Sequence, residues 1–201
     1  MTSLPPGYFE ELYSADDDPW RFADRWYERR KRALTLAVLP RARFRRAVEP
    51  GCSIGLLTRD LAQRCDEVLA SDVSARAVAL ARERTADLPG VRVEQASVPA
   101  QWPPGRFDLV VLSEVGYYCA GSDLTALAAA AAGCLSDDGV LVACHWRHPV
   151  ADYPVDGDAV HAVLRAQPGL AVLAHHLEED FVLDVLVRAP ATSVATVEGL
   201  T

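Results

Sequence analysis

Val48-Glu49-Pro50-Gly51-Cys52-Ser53-Ile54-Gly55 (VEPGCSIG) decides how this chain is read. Its two glycines stand four residues apart, with a carboxylate two residues ahead of the first. A glycine-rich turn lets backbone approach a ligand closely, because no Cβ intervenes and left-handed φ costs little. A dinucleotide fingerprint needs G-x-G-x-x-G, so that a pyrophosphate can rest on the helix N-terminus. The spacing here is G-x-x-x-G, and that fingerprint fails. The G-K-[ST] of a phosphate-cradling loop is missing as well.

The pattern around this turn alternates. Apolar runs predict strands over 45–49, 67–71, 91–94, 107–113, 140–144, 170–176 and 181–188. Helical spacing falls between them, over 55–64, 74–85 with Ser74 as its cap, 122–134 and 158–165. Strands alternating with ten-residue helices make a parallel sheet, and the short Glu178-Glu179-Asp180 link makes the last two strands a hairpin. The expected fold is therefore α/β, with seven mostly parallel strands and one antiparallel strand in the closing hairpin. Asp72 follows the second strand, where an acidic side chain can take two ribose hydroxyls. Neither the turn nor the acid requires a phosphate, so the pair suits a nucleoside without a pyrophosphate.

Ahead of this core, Asp16-Asp17-Asp18-Pro19 is a helix-start signal. Apolar residues then recur at helical spacing over 20–39 until Pro40, and a shorter helix is expected around 8–13. The domain reading is a helical cover over 1–40, a core over 41–189 and a flexible tail over 190–201, all in one domain.

Composition narrows the function. The 201 residues are half hydrophobic, enough for one substantial core. A net charge of −8 disfavours nucleic acid as a partner. The first 46 residues are net +3 and the remainder net −11. The basic excess sits in RFADRWYERRKR and RARFRR. Two readings stay open for it: a solvated helix face with Asp24, Glu28 and Arg32 paired at i,i+4, or a handle for an anionic group on cofactor or substrate. The five cysteines are scattered and never in CxxC spacing, so neither a disulfide frame nor a metal site is expected. The N-terminus lacks signal-peptide features and no run is long enough to span a bilayer, so the expectation is a cytoplasmic protein without membrane contact.

The motifs taken in order resemble the class I S-adenosyl-L-methionine-dependent methyltransferases, whose fold is Rossmann-like. VEPGCSIG is similar to their first motif with serine for the middle glycine. SDVS, ASVPAQW, FDLVVLSEV and LSDDGVLV follow as the later motifs, over 48–145. DPWRFADRWYERRK, EPGCSIG and HWRHPVADYPVDGDAVH resemble the NodS-like nodulation methyltransferases, which N-methylate the free amine of a deacetylated chitooligosaccharide. The resemblance implies S-adenosyl-L-methionine as cofactor. Gly51, Ser53 and Gly55 would form the turn under its methionine half, with Glu49 near the amino group and Ser113 alongside. Asp72 and Val73 would border the ribose, and Ser97 and Val98 the adenine; relatives often carry aspartate where Ser97 stands.

An amine acceptor must be neutral to attack, so a nearby carboxylate or imidazole is wanted to take its proton. Glu114 and His145 directly follow the fourth and fifth strands and are expected at the carboxyl edge of the sheet, as candidate catalytic groups. Trp20, Tyr27, Tyr117, Tyr118, Arg147 and Tyr153 are the candidate substrate contacts. Packing is the competing reading for Trp20 and Tyr27, and an ion pair with Asp152 for Arg147. His161 would cover a helix face, and His175 and His176 would be sheet residues. The expected activity is N-methylation of an amino sugar or similar small amine. The rivals are an O- or C-methyltransferase, a nicotinamide-dependent oxidoreductase and a non-catalytic binding module. The oligomeric state is not legible.

Overall fold

The strand Phe107–Ser113 (β4) buries every residue except its last, because FDLVVLS offers apolar side chains to both faces. Such a run belongs in the interior of a parallel sheet. In the computed structural model, which describes residues 2–201, β4 lies between Phe44–Pro50 (β1) and Leu135–Trp146 (β5), parallel to both. Beyond β1 come Cys65–Asp72 (β2) and Val91–Gln95 (β3), also parallel. Beyond β5 lies Phe181–Arg188 (β7), antiparallel, and then Leu170–Leu177 (β6) at the edge. The order is β3-β2-β1-β4-β5-β7-β6. The path across the sheet reverses between β1 and β4, and such a reversal leaves a crevice at the carboxyl ends of those strands.

Alternation along the strands feeds two cores. Val110 and Leu112 of β4 and Leu141 of β5 pack with Leu127 of helix Gly121–Gly133 (α5) and with Val160 and Leu164 of helix Gly157–Arg165 (α6). Leu109, Val111 and Val142 point to the other face, against Leu57 and Leu61 of helix Leu56–Leu61 (α3). Helix Ala75–Arg84 (α4) starts where the sequence places its cap, with Ser74 Oγ accepting from the Ala77 N–H. Cysteines 52, 65, 119, 134 and 144 are all buried and unpaired. No helix among the described residues is long and apolar enough to cross a membrane.

Three features depart from the sequence reading. The helix expected over 20–39 spans only Trp26–Ala37 (α2), preceded by Pro6–Ala15 (α1). Asp18 caps a separate turn, its carboxylate accepting from the N–H groups of Phe22 and Ala23 at 2.8 and 2.9 Å, and Arg21 then takes a left-handed φ of 60° that no helix tolerates. β5 begins before Asp137-Asp138-Gly139, where a turn is expected. The ladder passes from Phe107↔Leu135 to Leu109↔Val140, so the turn is absorbed as an irregularity within the strand. The tail after 190 contains a short helix, Val194–Val197 (α7), capped by Ser193.

At the amino end of β4, buried Asp108 holds the start of β1. Its two oxygens accept from the backbone N–H groups of Arg45 and Arg46 at 2.9 and 2.8 Å. Asp108→Ala orphans both donors and should cost about 2–6 kcal/mol in urea denaturation, since each buried unsatisfied group costs about 1–3 kcal/mol. A loss well under that would show that the strand start finds other partners.

Candidate active site

The turn after β1 is built from left-handed residues: Gly51, Ser53 and Gly55 have φ of 73°, 51° and 78°. A Cβ on Gly51 would come within 3.0 Å of the Val115 side chain, where the segment after β4 presses on the turn. One on Gly55 would meet the Ala81 backbone at 3.0 Å, so this glycine lets α3 start against α4 and does not line the cavity. Ser53 tolerates its conformation because it is held at both ends. Its N–H donates to Asp72 Oδ2 at 2.9 Å, and Tyr13 of α1 donates its hydroxyl to Ser53 Oγ at 2.6 Å.

Asp72 also accepts from the Ser74 N–H at 3.0 Å. Burial pushes its carboxyl above the usual range, against the lowering effect of those N–H groups. Asp72, Val73, Ser97, Val98, Gly51 and Ser53 converge on one cavity of about 550 Å³ at the switch point. Its outer wall is supplied by the N-terminal segment, with Leu4, Phe9, Trp20 and Phe22 among the lining residues. The Leu4 N–H donates to the Tyr118 carbonyl at 3.0 Å, and Ser3 Oγ donates to Asp123 at 2.5 Å, tying this segment across the cavity.

A smaller lobe of about 60 Å³ shares Gly51, Ser53 and Glu114 with the main cavity and extends to Glu49 and Ser113. Glu49 is buried, and among the described residues its carboxyl is hydrogen-bonded only by the Thr58 hydroxyl, at 2.6 Å. No cationic side chain pairs with it among the described residues, and burial pushes its carboxyl up to about 8. Arg32 lines the same lobe with a buried Nε that has no hydrogen-bond partner.

Glu114 is anchored from three directions. Lys31 Nζ lies 2.8 Å from Oε1, while the Tyr117 hydroxyl and the Trp146 N–H (3.1 Å) donate to Oε2. Lys31 reaches Glu28 at 3.1 Å as well, and both residues are buried. Burial works against the Lys31 ammonium, but Glu114 and Glu28 outweigh it and hold the charge in place. The basic segment keeps a solvated side, but the i,i+4 pairing is not formed: Arg21 takes Asp24 at the surface, Lys31 takes Glu28 in the interior, and Arg32 approaches Asp60 at 3.6 Å.

His145 does not reach the cleft. It follows Cys144 within β5 and is fully buried, with one ring nitrogen accepting from Gly116 and the other facing His161. Burial first, then His161 and Lys31, hold its pKa well below the usual histidine value. A neutral ring with both nitrogens engaged has no free position for an acceptor's proton. Among the substrate candidates, Trp20 and Tyr118 line the cavity and the other four do not. Tyr27 packs edge-on against Trp146 and Phe181. Tyr117 is buried with Tyr153 stacked on it. Arg147 pairs with Asp158 at 2.9 Å, not with Asp152, and donates to the Glu178 carbonyl. Sequence reasoning passed over Asp123 of α5 and over Phe9, Tyr13 and Phe22, whose placement depends on how the N-terminal segment crosses the cavity.

The strand order and the cavity at its switch point define the class I methyltransferase fold. The structure of the N-methyltransferase NodS from Bradyrhizobium japonicum WM9 with S-adenosyl-L-homocysteine superposes with a TM-score of 0.82, at 24% identity over 92% of this chain and 99% of that one. A Pseudomonas syringae protein, solved under a provisional methyltransferase assignment, is 52% identical over 82% of this chain and all of its own, with a TM-score of 0.73. The nodulation protein S (NodS) family model matches residues 10–153, and the chain belongs to that family. Nodulation protein S of Sinorhizobium fredii (strain NBRC 101917 / NGR234) is 32% identical over 105 residues, covering 52% of this chain and 49% of that protein. The Rhizobium tropici protein of the same name is also 32% identical over 105 residues, covering 44% of its length. The chain spans about half the length of the curated relatives it matches.

The raised Glu49 carboxyl gives a prediction with a definite sign. Between about 4.5 and about 8 the folded state keeps a proton that the unfolded chain has released. Wild-type stability should therefore fall across that interval as pH rises, by on the order of 1.4 kcal/mol per unit of pKa difference. Glu49→Gln, which keeps an oxygen to accept from Thr58, should lose that dependence. Parallel urea curves for the two proteins at each pH would contradict the assignment.

Proposed function

We propose that this protein transfers a methyl group from S-adenosylmethionine to a small amine. The observation that carries the reading is the charge of the site. Among the described residues, the main cavity is lined by Asp72, Glu114 and Asp123 and by no lysine, arginine or histidine. Such a lining attracts cations and repels the pyrophosphate of a dinucleotide.

The residues present fit the cofactor. Asp72 would take the ribose hydroxyls, while Val73, Ser97 and Val98 would border the base. Gly51 leaves room for the methionine half where a side chain would collide with Val115. In the inner lobe, Glu49 is a buried acid with no cationic partner among the described residues, able to give up its proton to meet an ammonium, and Arg32, whose Nε lies 3.6 Å from Asp60 without a hydrogen bond, is suited to a carboxylate. When bound, the cofactor supplies a methyl group on a cationic sulfur, open to displacement by a lone pair.

The chain's own residues then have three tasks. Asp72 and the β1 turn orient one partner against the other, and well-aligned systems gain roughly 7–11 kcal/mol from orientation. Phe9, Trp20, Phe22 and Tyr118 exclude water and offer aromatic faces to a cationic acceptor. Glu114, the one carboxylate common to both lobes, draws the acceptor's ammonium and takes its proton, with Lys31 Nζ 2.8 Å from Oε1 holding the side chain in place. An amino sugar is the acceptor that family membership favours. The main cavity has to hold cofactor and acceptor together in about 550 Å³, so the reacting unit is small.

Labelled S-adenosylmethionine incubated with amino sugars and other small amines should give a product one methyl group heavier at nitrogen, with release of S-adenosylhomocysteine. Methylation confined to hydroxyl or carbon acceptors would overturn the amine assignment. Asp72→Ala should weaken cofactor binding by calorimetry about ten-fold or more, given roughly 1.5–3 kcal/mol for a hydrogen bond to a charged group. Unchanged affinity in a folded variant would remove Asp72 from the site.

A further inference from the structure

Behind the cavity runs a chain of buried polar groups with no part in the reaction proposed above. The Gly116 N–H donates to His145 Nε2 at 3.0 Å. His145 Nδ1 is 3.1 Å from His161 Nε2, and His161 Nδ1 is 2.7 Å from Asp184 Oδ2. The other oxygen of Asp184 faces His175 Nδ1 at 2.7 Å, on the edge strand β6. His145, His161 and Asp184 are fully buried, and they come from β5, α6 and β7.

The direction of each bond follows from its ends. A backbone N–H only donates, so His145 Nε2 accepts and its proton sits on Nδ1. That proton points at His161 Nε2, which must accept, so His161 also carries its proton on Nδ1. Asp184 receives that proton's hydrogen bond as a carboxylate. One carboxylate on β7 thus sets the tautomer of two imidazoles in series.

The segment at the far end needs such support. Glu114 has a left-handed φ of 56°, a conformation that costs a non-glycine residue about 1–3 kcal/mol and persists only where its surroundings over-determine it. Glu114 is pinned through its side chain, and Gly116, two residues on, is pinned by His145. Between them Val115 packs against Gly51 in the cavity floor. Gly116 itself allows no substitute, since a Cβ there would lie 2.4 Å from Val160 and 3.0 Å from His145 Nε2.

We propose that Asp184, His161 and His145 are positioning residues that lock residues 114–116 in place through a fixed tautomer, and so preform the cavity floor. The chain acts through the Gly116 N–H and touches no ligand. The reading of the cavity as a cofactor site enters only one arm of its test.

The first arm needs no ligand. Long-range proton–nitrogen correlation of the histidine side chains at neutral pH should show His145 and His161 both protonated on Nδ1. An Nε2–H tautomer at either ring would overturn the proposal. The second arm measures S-adenosylhomocysteine affinity. His145→Leu removes the acceptor for Gly116 and should weaken binding about ten-fold. His145→Gln places an amide oxygen near the Nε2 position and should stay within about three-fold of wild type, the two variants having similar melting temperatures. Equal affinities in these variants would refute a role for the bond to Gly116. If wild type fails to bind the ligand, the cofactor reading falls and the tautomer measurement still decides the relay.

Discussion

An ammonium group buried in protein costs several kcal/mol unless oppositely charged groups meet it at once. Lys31 Nζ is in that position, and Glu28 and Glu114 are the groups that meet it. Glu28 lies one turn earlier on the same helix, whereas Glu114 lies at the far end of the central strand. The N-terminal helix α2 is therefore fixed to the carboxyl edge by a charge that has nowhere else to go. Its register places Arg32 in the inner lobe and brings the preceding turn over the cavity. Truncating Lys31 would leave two buried carboxylates facing each other without a cation, so the three residues form one unit in energy as well as in space.

The carboxyl edge shows the same economy in its backbone. Parallel strands end together and leave N–H groups with no ladder partner, and acidic side chains collect them. Asp72 gathers those of Ser53 and Ser74, and Glu114 takes that of Trp146. Each acid thereby fastens two loops to each other while turning negative charge toward the cavity. The electrostatic character of the site and the rigidity of its rim come from the same side chains.

What the sequence revealed and what it hid divide along sequence separation. β4 was legible because its apolar run has one place to go, and the Ser74 cap because its partner is three residues away. The convergence of Asp72, Val73, Ser97 and Val98 on the cavity follows from strand order. The start of α2 was hidden because Asp18 spends its carboxylate on a local turn, a competition that spacing does not reveal. His145 was misplaced for a different reason. Strand position gives its height along the sheet, but which face it takes depends on register against Asp184 and on a helix arriving from sixteen residues further on. Lys31 sat unmarked in a basic run, because burial of one cation among many depends on a partner more than eighty residues distant.

The five thiols form an unplanned set of depth gauges. Burial pushes Cys65 and Cys144 up to about 12 and Cys119 to about 11, so almost no thiolate exists to meet an alkylating reagent while the fold is closed. A sulfur packed inside the fold reacts only when its own element opens. Cys65 reports on the start of β2, Cys134 on the end of α5 and Cys144 on the middle of the sheet. Cys119 differs from these because it lines the cavity, so a ligand seated there shields it directly. The order in which reagent consumes the five sulfurs would trace the order in which the molecule comes apart, strand by strand, without a single engineered probe.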